Sequence, residues 1–180
     1  MFYTANLEVY FGQQPEERFQ VSNRPSDVVQ RLCEPIYDSG RNLTIDNWFT
    51  SIELVNKLYE KKITVVRTIR KNKRELPFEF TKPKHPINSS MFGFNQHITL
   101  VSYIPKKNKN VSLVSSLHHD DAIDYSSGNQ NKPEIIALYN STKIGVDMVN
   151  QLSANYNKLF KKHKALANGY ILYHIEYIWH

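Results

Sequence analysis

The apolar residues in the amino-terminal part of the chain follow two patterns, one typical of strands and one typical of helices. Short runs rich in β-branched and aromatic residues predict strands at 1–11, 42–46 and 63–69. Between these runs, apolar residues recur every three or four positions, as on the buried face of a helix. Strands and helices that alternate with short links indicate an α/β fold with a largely parallel sheet.

Two helices are predicted between these strands. We expect Ser26 to cap the first helix, which ends at Pro35. Its buried stripe consists of four residues, Val28, Val29, Leu32 and Cys33. A capping box formed by Thr50 and Glu53 begins the second helix. The inward-facing residues of this helix are Ile52, Val55, Leu58 and Tyr59.

The pattern changes after residue 70. Strands at 98–104 and 111–117 flank the lysine-rich segment 105–110, which predicts a β-hairpin with a basic tip. The polar segment 118–132 has no periodicity and is expected to form an exposed loop. From residue 133 the pattern is helical again, and one face carries Ile144, Met148 and Leu152. A final helix is expected to include Ile171, Leu172, Ile175, Ile178 and Trp179.

The composition indicates a single compact domain. A chain of 180 residues with 41% hydrophobic residues can bury one hydrophobic core. Cys33 is the only cysteine, so an internal disulfide and an all-cysteine zinc site are excluded. The chain has no signal-peptide pattern and no apolar run of about 18 residues, which predicts a soluble intracellular protein that is neither secreted nor membrane-spanning. The net charge of +6 favours polyanionic partners, although many proteins with such a charge bind none.

Two aspartates are the candidate catalytic and metal-binding residues. Asp46 comes at the end of a predicted strand, and Asp147 lies on a predicted helix at the edge of its buried face. Carboxylates that converge from separate rigid elements are what a two-metal phosphoryl-transfer site requires, with ions about 4 Å apart. Magnesium prefers such oxygen ligands. The plainer alternatives are a strand-end cap at Asp46 and a solvated helix residue at Asp147.

A basic cluster lies on and just beyond the predicted strand at 63–69. Its members could hold phosphates as a positioning surface, or they could form a solvated turn. They are Arg67, Arg70, Lys71, Lys73 and Arg74. The run 118–121 of two histidines and two aspartates is better interpreted as a polar loop than as a metal site, because adjacent residues seldom chelate together. There is no Walker loop, dinucleotide fingerprint or nucleophile elbow, so no small-molecule substrate is indicated.

Five segments, in chain order, resemble the catalytic domain of piggyBac-type transposases and of the cellular proteins derived from them. Residues 40–51 look like the second acidic motif of that family, and residues 68–77 are similar to its basic turn. The segments 90–94 and 99–103 follow in the same register. Residues 139–147 look like the third acidic motif.

The resemblance implies a ribonuclease-H-like α/β core at 1–74 and 133–180, with a β-rich insertion at about 75–132. It makes Asp46 and Asp147 the second and third acids of a site for two magnesium ions. It also implies DNA cleavage and strand transfer at TTAA sites, DNA as the partner, self-association as in transposases, and a nuclear location. A membrane partner is not implied.

The sequence departs from the family pattern in one respect that affects activity. The first acid of the family belongs to a strand expected before Met1, so the resemblance implies a core that is incomplete at the amino terminus. Three hypotheses follow. The chain is a fragment or relic of a transposase domain that is inactive alone, or a domesticated non-enzymatic module that binds DNA or chromatin, or an active transposase whose amino-terminal part lies upstream.

Overall fold

The computed structural model describes residues 6–10, 21–45, 49–70, 73–81, 85–144, 171–175 and 177–178. Three of the candidate site residues, Asp46, Lys71 and Asp147, lie outside these ranges, as do Met148, Leu152 and Trp179. The described helices are α1 (Pro25–Cys33), α2 (Ile52–Glu60), α3 (Phe78–Thr81) and α4, which is described over residues 134–144. None of the helices in these ranges is long and apolar enough to cross a membrane.

Eight strands are described. They are β1 (Asn6–Tyr10), β2 (Asn42–Leu43), β3 (Thr64–Thr68), β4 (Ser90–Asn95), β5 (Ile98–Lys106), β6 (Lys109–Ser115), β7 (Ile171–Ile175) and β8 (Tyr177–Ile178). Six of them form one sheet in the order β4-β5-β6-β3-β2-β8, and β1 pairs with β7 in a second sheet of two strands.

The pairing of β2 with β3 is parallel, as the sequence pattern predicts for strands joined by a helix. Asn42 lies opposite Thr64, and Leu43 lies opposite Val65. The other neighbours in the six-stranded sheet are antiparallel, so the prediction of a largely parallel sheet is wrong. For β4, β5 and β6 the reason is that short turns join them in succession, and a short turn can join only antiparallel neighbours.

Helices cover both faces of this sheet. α1 and α2 bury their apolar stripes against one face, where Val65 of β3 and Val114 of β6 contribute to the same cluster. α4 packs on the other face through Ile135 and Ile136, against a cluster that includes Val66. Successive residues of a strand point to opposite faces, which is why Val65 and Val66 belong to different clusters. This arrangement confirms the predicted α/β class.

Both predicted helix caps are displaced. α1 begins at Pro25 after Arg24, which makes no side-chain cap, and Ser26 lies within its first turn. Proline suits the first helical position because its fixed φ matches the helix and its missing N–H is not needed there. α2 is capped by Ser51, whose Oγ accepts a hydrogen bond of 3.1 Å from Leu54 N–H. The capping box predicted at Thr50 is therefore wrong by one residue.

The carboxyl-terminal prediction is also wrong. The structure has β7 and β8 where a final helix was expected. The segment is rich in isoleucine and tyrosine, which favour strands, and β1 and β2 supply pairing partners. The predicted hairpin is confirmed as β5 and β6, with Asn108 at a φ of 63° in the turn between them. The segment 118–132 is mostly exposed and contains a 3-10 helix, Tyr125–Gln130.

Candidate active-site edge

The parallel strands β2 and β3 end at the same edge of the sheet. We call this edge the carboxyl edge. It consists of the ends of the two strands and the described residues that follow them, which are 44–45, 49–51, 68–70 and 73–76. In open α/β sheets, ligands bind beyond the carboxyl ends of the strands. Thr44 and Ile45 at this edge are both buried, which holds the chain that leads to Asp46 against the core.

A hydrogen bond joins the carboxyl edge to α4. Thr44 Oγ1 donates to Thr142 Oγ1 at 3.0 Å, and each residue is 3% exposed. Thr142 Oγ1 in turn donates to the carbonyl of Tyr139 at 3.2 Å, one turn earlier in α4. Buried hydroxyl groups need partners, so this chain of two bonds fixes how α4 sits on the sheet. Thr44 precedes Asp46 by two residues, and Thr142 precedes Asp147 by five.

The segment that follows Asp46 is tied to the end of β3. Thr50 is buried, and its hydroxyl donates to the carbonyl of Thr68 at 3.3 Å. The next residue, Ser51, caps α2. The chain on both sides of Asp46 is therefore held by the sheet and by the start of a helix.

The basic cluster is divided between the core and the surface. Arg70 and Arg74 are exposed, and Lys73 is half-buried. Arg67 differs from the prediction of a phosphate-binding surface, because its side chain is 0% exposed. It lies opposite Val114, on the face that α1 and α2 cover, and its Nε donates to the carbonyl of Thr68 at 3.3 Å. The alternation of the strand explains this burial, since Arg67 shares a face with Val65.

Glu75 is a residue of the carboxyl edge that the sequence analysis missed. Its carboxylate accepts a hydrogen bond of 3.0 Å from the backbone N–H of Ile52, the first residue of α2. The preceding turn is closed by bonds from Lys73 N–H to the Arg70 carbonyl and from Leu76 N–H to the Lys73 carbonyl, each 3.2 Å. Nothing in the local sequence distinguishes Glu75, because the helix start that it meets is 23 residues away.

Other candidate groups have structural roles. The Nδ1 atom of His118 lies 2.9 Å from Ser115 Oγ, and burial, as the largest cause, lowers the pKa of this histidine. Burial raises the pKa of the Cys33 thiol to about 12, in agreement with its predicted place in the core. Within the described ranges, no group of three or more His, Cys, Asp or Glu residues could hold a metal ion.

Comparisons with known proteins show the family of the chain. The family model described as Transposase IS4 matches residues 1–177 of the chain. Among solved structures, the chain is similar to a chain in the cryo-EM structure of the piggyBac transposase synaptic complex with hairpin DNA. The TM-score is 0.68 and the sequence identity is 40%, over 81% of this chain. The match covers 30% of the other chain, so this chain spans less than a third of that protein's length.

The mixed sheet with helices on both faces is thus an α/β fold of the ribonuclease H class. The chain belongs to the Transposase IS4 family, and it is of the piggyBac type. This membership confirms the resemblance that the five sequence segments suggest.

Proposed function

We propose that the carboxyl edge is part of the active site of a piggyBac-type transposase and that it binds DNA beside a divalent metal site. We propose further that the 180-residue chain does not cleave DNA by itself. The observation that carries the first proposal is the hydrogen bond of 3.0 Å between Thr44 and Thr142, because it joins the segments that lead to Asp46 and Asp147.

Chain geometry supports the convergence of the two acids. Asp46 follows Thr44 by two residues, which span at most about 7 Å of chain in any conformation. Asp147 follows Thr142 by five residues, which span at most about 18 Å. Both carboxylates are then within reach of a common site.

The donor set fits magnesium. Transposases of this family generally use a divalent metal. Asp46 and Asp147 would hold it with carboxylate oxygens, the hard ligands that magnesium prefers. When bound, the metal would supply activation of the attacking oxygen and stabilisation of the charge on the phosphate. The chain's own part is to fix the two carboxylates, through the buried Thr44 and Thr142 and the anchored Thr50.

Charge at the carboxyl edge supports DNA as the partner. The relative was solved with hairpin DNA. In this chain the exposed Arg70 and Arg74 lie just beyond β3, where they could hold backbone phosphates, and the net charge is +6. Cleavage at TTAA sites, self-association and a nuclear location are further parts of the proposal that rest on the family alone.

The proposed lack of activity rests on the number of acids. The family site has three acids, and these 180 residues supply the second and third, Asp46 and Asp147. A site short of one carboxylate holds its ions too weakly and in the wrong geometry for an in-line displacement, so turnover is lost.

Two measurements on the purified 180-residue chain test these proposals. We expect salt-sensitive binding to TTAA-containing DNA and no magnesium-dependent nicking. Clear nicking that is lost in Asp46→Asn would refute the inactivity, and absence of any binding at low salt would refute the DNA interface.

A non-enzymatic DNA- or chromatin-binding module is the second candidate. It is favoured by exposed cations that can bind phosphates without any contribution from Asp46 and Asp147. These cations are Arg70 and Arg74 beyond β3, and Lys106, Lys107 and Lys109 at the hairpin tip. The genomic sequence before Met1 separates this candidate and the relic from an active enzyme. An open frame that encodes a strand with an aspartate would favour the active enzyme, and stop codons would exclude it.

A further inference from the structure

We infer that Glu75 is a positioning residue that holds the end of the basic turn, residues 73–76, against the start of α2. The inference rests on the proposed DNA interface and deepens it. Its basis is the hydrogen bond of 3.0 Å from Ile52 N–H to Glu75 Oε2, which joins the turn after β3 to the first residue of α2.

The start of α2 has backbone N–H groups that need acceptors. The first N–H groups of a helix have no partner within it, and they carry partial positive charge. In α2, Ser51 Oγ accepts from Leu54 N–H, and the Glu75 carboxylate accepts from Ile52 N–H. A bond from a backbone N–H to a carboxylate is stronger than a neutral one. Glu75 thus adds an acceptor that the local sequence of α2 lacks.

This contact fixes the turn relative to the catalytic segment. Ile52 follows Thr50 and Ser51, the residues that tie the chain after Asp46 to β3 and to α2. The backbone bonds from Lys73 and Leu76 close the turn from the other side, and Leu76 is buried in the core beneath it. The position of Arg74 relative to the start of α2 therefore depends on a bond made by its sequence neighbour, Glu75.

The charge of Glu75 gives this role a distinctive signature. An exposed acid beside cations repels DNA phosphates, so its removal normally strengthens DNA binding. A positioning role predicts weaker DNA binding for a variant that loses the hydrogen bond, because the arginines are then no longer held in place. The sign of the change in DNA affinity distinguishes the two roles.

Three variants of the full chain test the inference: Glu75→Ala, Glu75→Gln and, as a matched control, Glu79→Ala. Glu79 is an exposed acid in α3, close in sequence to the same turn. Affinity for a TTAA-containing duplex is measured at one salt concentration. We expect Glu79→Ala to bind equally or about twofold tighter through loss of repulsion. Glu75→Gln keeps an acceptor oxygen and should behave in the same way.

We expect Glu75→Ala to bind about fivefold more weakly than the unsubstituted chain, as for loss of one charge-assisted bond. Binding as tight as that of Glu79→Ala would overturn the inference while leaving the DNA interface intact.

A second measurement does not depend on DNA. Amide hydrogen exchange of the free chain should become faster at Ile52 and at residues 73–76 in Glu75→Ala, and change much less in Glu75→Gln, which keeps a weaker, neutral acceptor. Unchanged exchange in Glu75→Ala would overturn the inference. If no variant binds DNA but the exchange changes as expected, the positioning role stands and the proposed DNA interface fails.

Discussion

Thr44 and Thr142, 98 positions apart in sequence, share a hydrogen bond of 3.0 Å in the interior of the protein. The bond joins the end of a strand to a helix on one face of the sheet. In a transposase of the piggyBac type, these are the two elements from which the second and third acids are expected. The contact therefore gives the proposed site a scaffold that can be tested apart from catalysis.

A double-mutant cycle of Thr44→Val and Thr142→Val should show coupling between the two hydroxyl groups. Thr142→Val removes the acceptor of the buried Thr44 hydroxyl, so we expect a loss of about 1–2 kcal/mol in the free energy of unfolding. Thr44→Val leaves the Thr142 hydroxyl bonded to the Tyr139 carbonyl, so we expect a loss of about 1 kcal/mol. The double variant should lose less than the sum, with a coupling of about 1 kcal/mol. Urea unfolding measures all four proteins.

The control for this cycle is Ser141→Ala, an exposed position beside Thr142 in α4. Its effect should stay within about 0.5 kcal/mol. Strictly additive losses for the two threonine variants would show that the bond does not contribute to stability.

Replacing Arg70 and Arg74 together with alanine should weaken DNA binding across all sequences. Each lost phosphate contact lowers the slope of log affinity against log salt by about 1, which a salt titration of binding measures. Lys62→Ala is the matched control, because Lys62 precedes β3 at the opposite end of the strand. The test variant removes two cations and the control one, so a control effect of half the size would mean that charge, and not the carboxyl edge, determines binding.

The ion pair between Arg31 and Glu8 should hold α1 to β1. Arg31 Nε and Nη2 donate to the two carboxylate oxygens at 3.1 and 2.6 Å, and Nη1 donates to the Ser22 carbonyl at 2.7 Å. The two side chains are about 30% exposed, so water screens the pair. Arg31→Lys cannot make two hydrogen bonds to the carboxylate at once, so we expect it to lower the free energy of unfolding by about 0.5–1 kcal/mol at low salt. A cost that does not fall in high salt would argue against an electrostatic origin.

Acid should destabilise the fold through His118. Burial lowers the pKa of this histidine below its ordinary value of 6.5, so the unfolded chain binds the proton more readily than the folded one. The contribution of His118 is therefore fully present above pH 6.5 and is lost as the pH falls toward the folded pKa. Thermal unfolding between pH 7.5 and 5.5 should show a smaller loss of stability in His118→Gln than in the unsubstituted chain. The neighbouring exposed residue provides a control, His119→Gln, which removes only the smallest of the causes that lower the His118 pKa and should keep most of the pH dependence.

Sequence patterns predicted the elements of the sheet better than the pairing among them. The parallel pair of β2 and β3 follows from two strands joined by an amphipathic helix, which is a local pattern. The antiparallel β7 was missed because its apolar residues also fit helical spacing; its isoleucine and tyrosine content favours a strand, and pairing with β1 decides between the two.

The candidate site was predictable to the extent that local segments resemble a known family. The burial of Arg67 depends on which face of β3 the helices α1 and α2 cover, and this is a property of the whole fold. The contact between Glu75 and Ile52 depends on the meeting of two distant turns, so no local pattern indicates it.

We propose that Asp46 and Asp147 hold a metal ion beside Thr44 and Thr142. Manganese, used in place of magnesium, broadens the NMR signals of nearby amides through its unpaired electrons. Titration of the chain with Mn²⁺ should broaden the signals of Thr44 and Thr142 while leaving Lys62 sharp, and either Asp46→Asn or Asp147→Asn should abolish the broadening. Broadening of Thr44 and Thr142 that persists in both variants, or that never occurs, would show that the two aspartates do not hold a metal ion there.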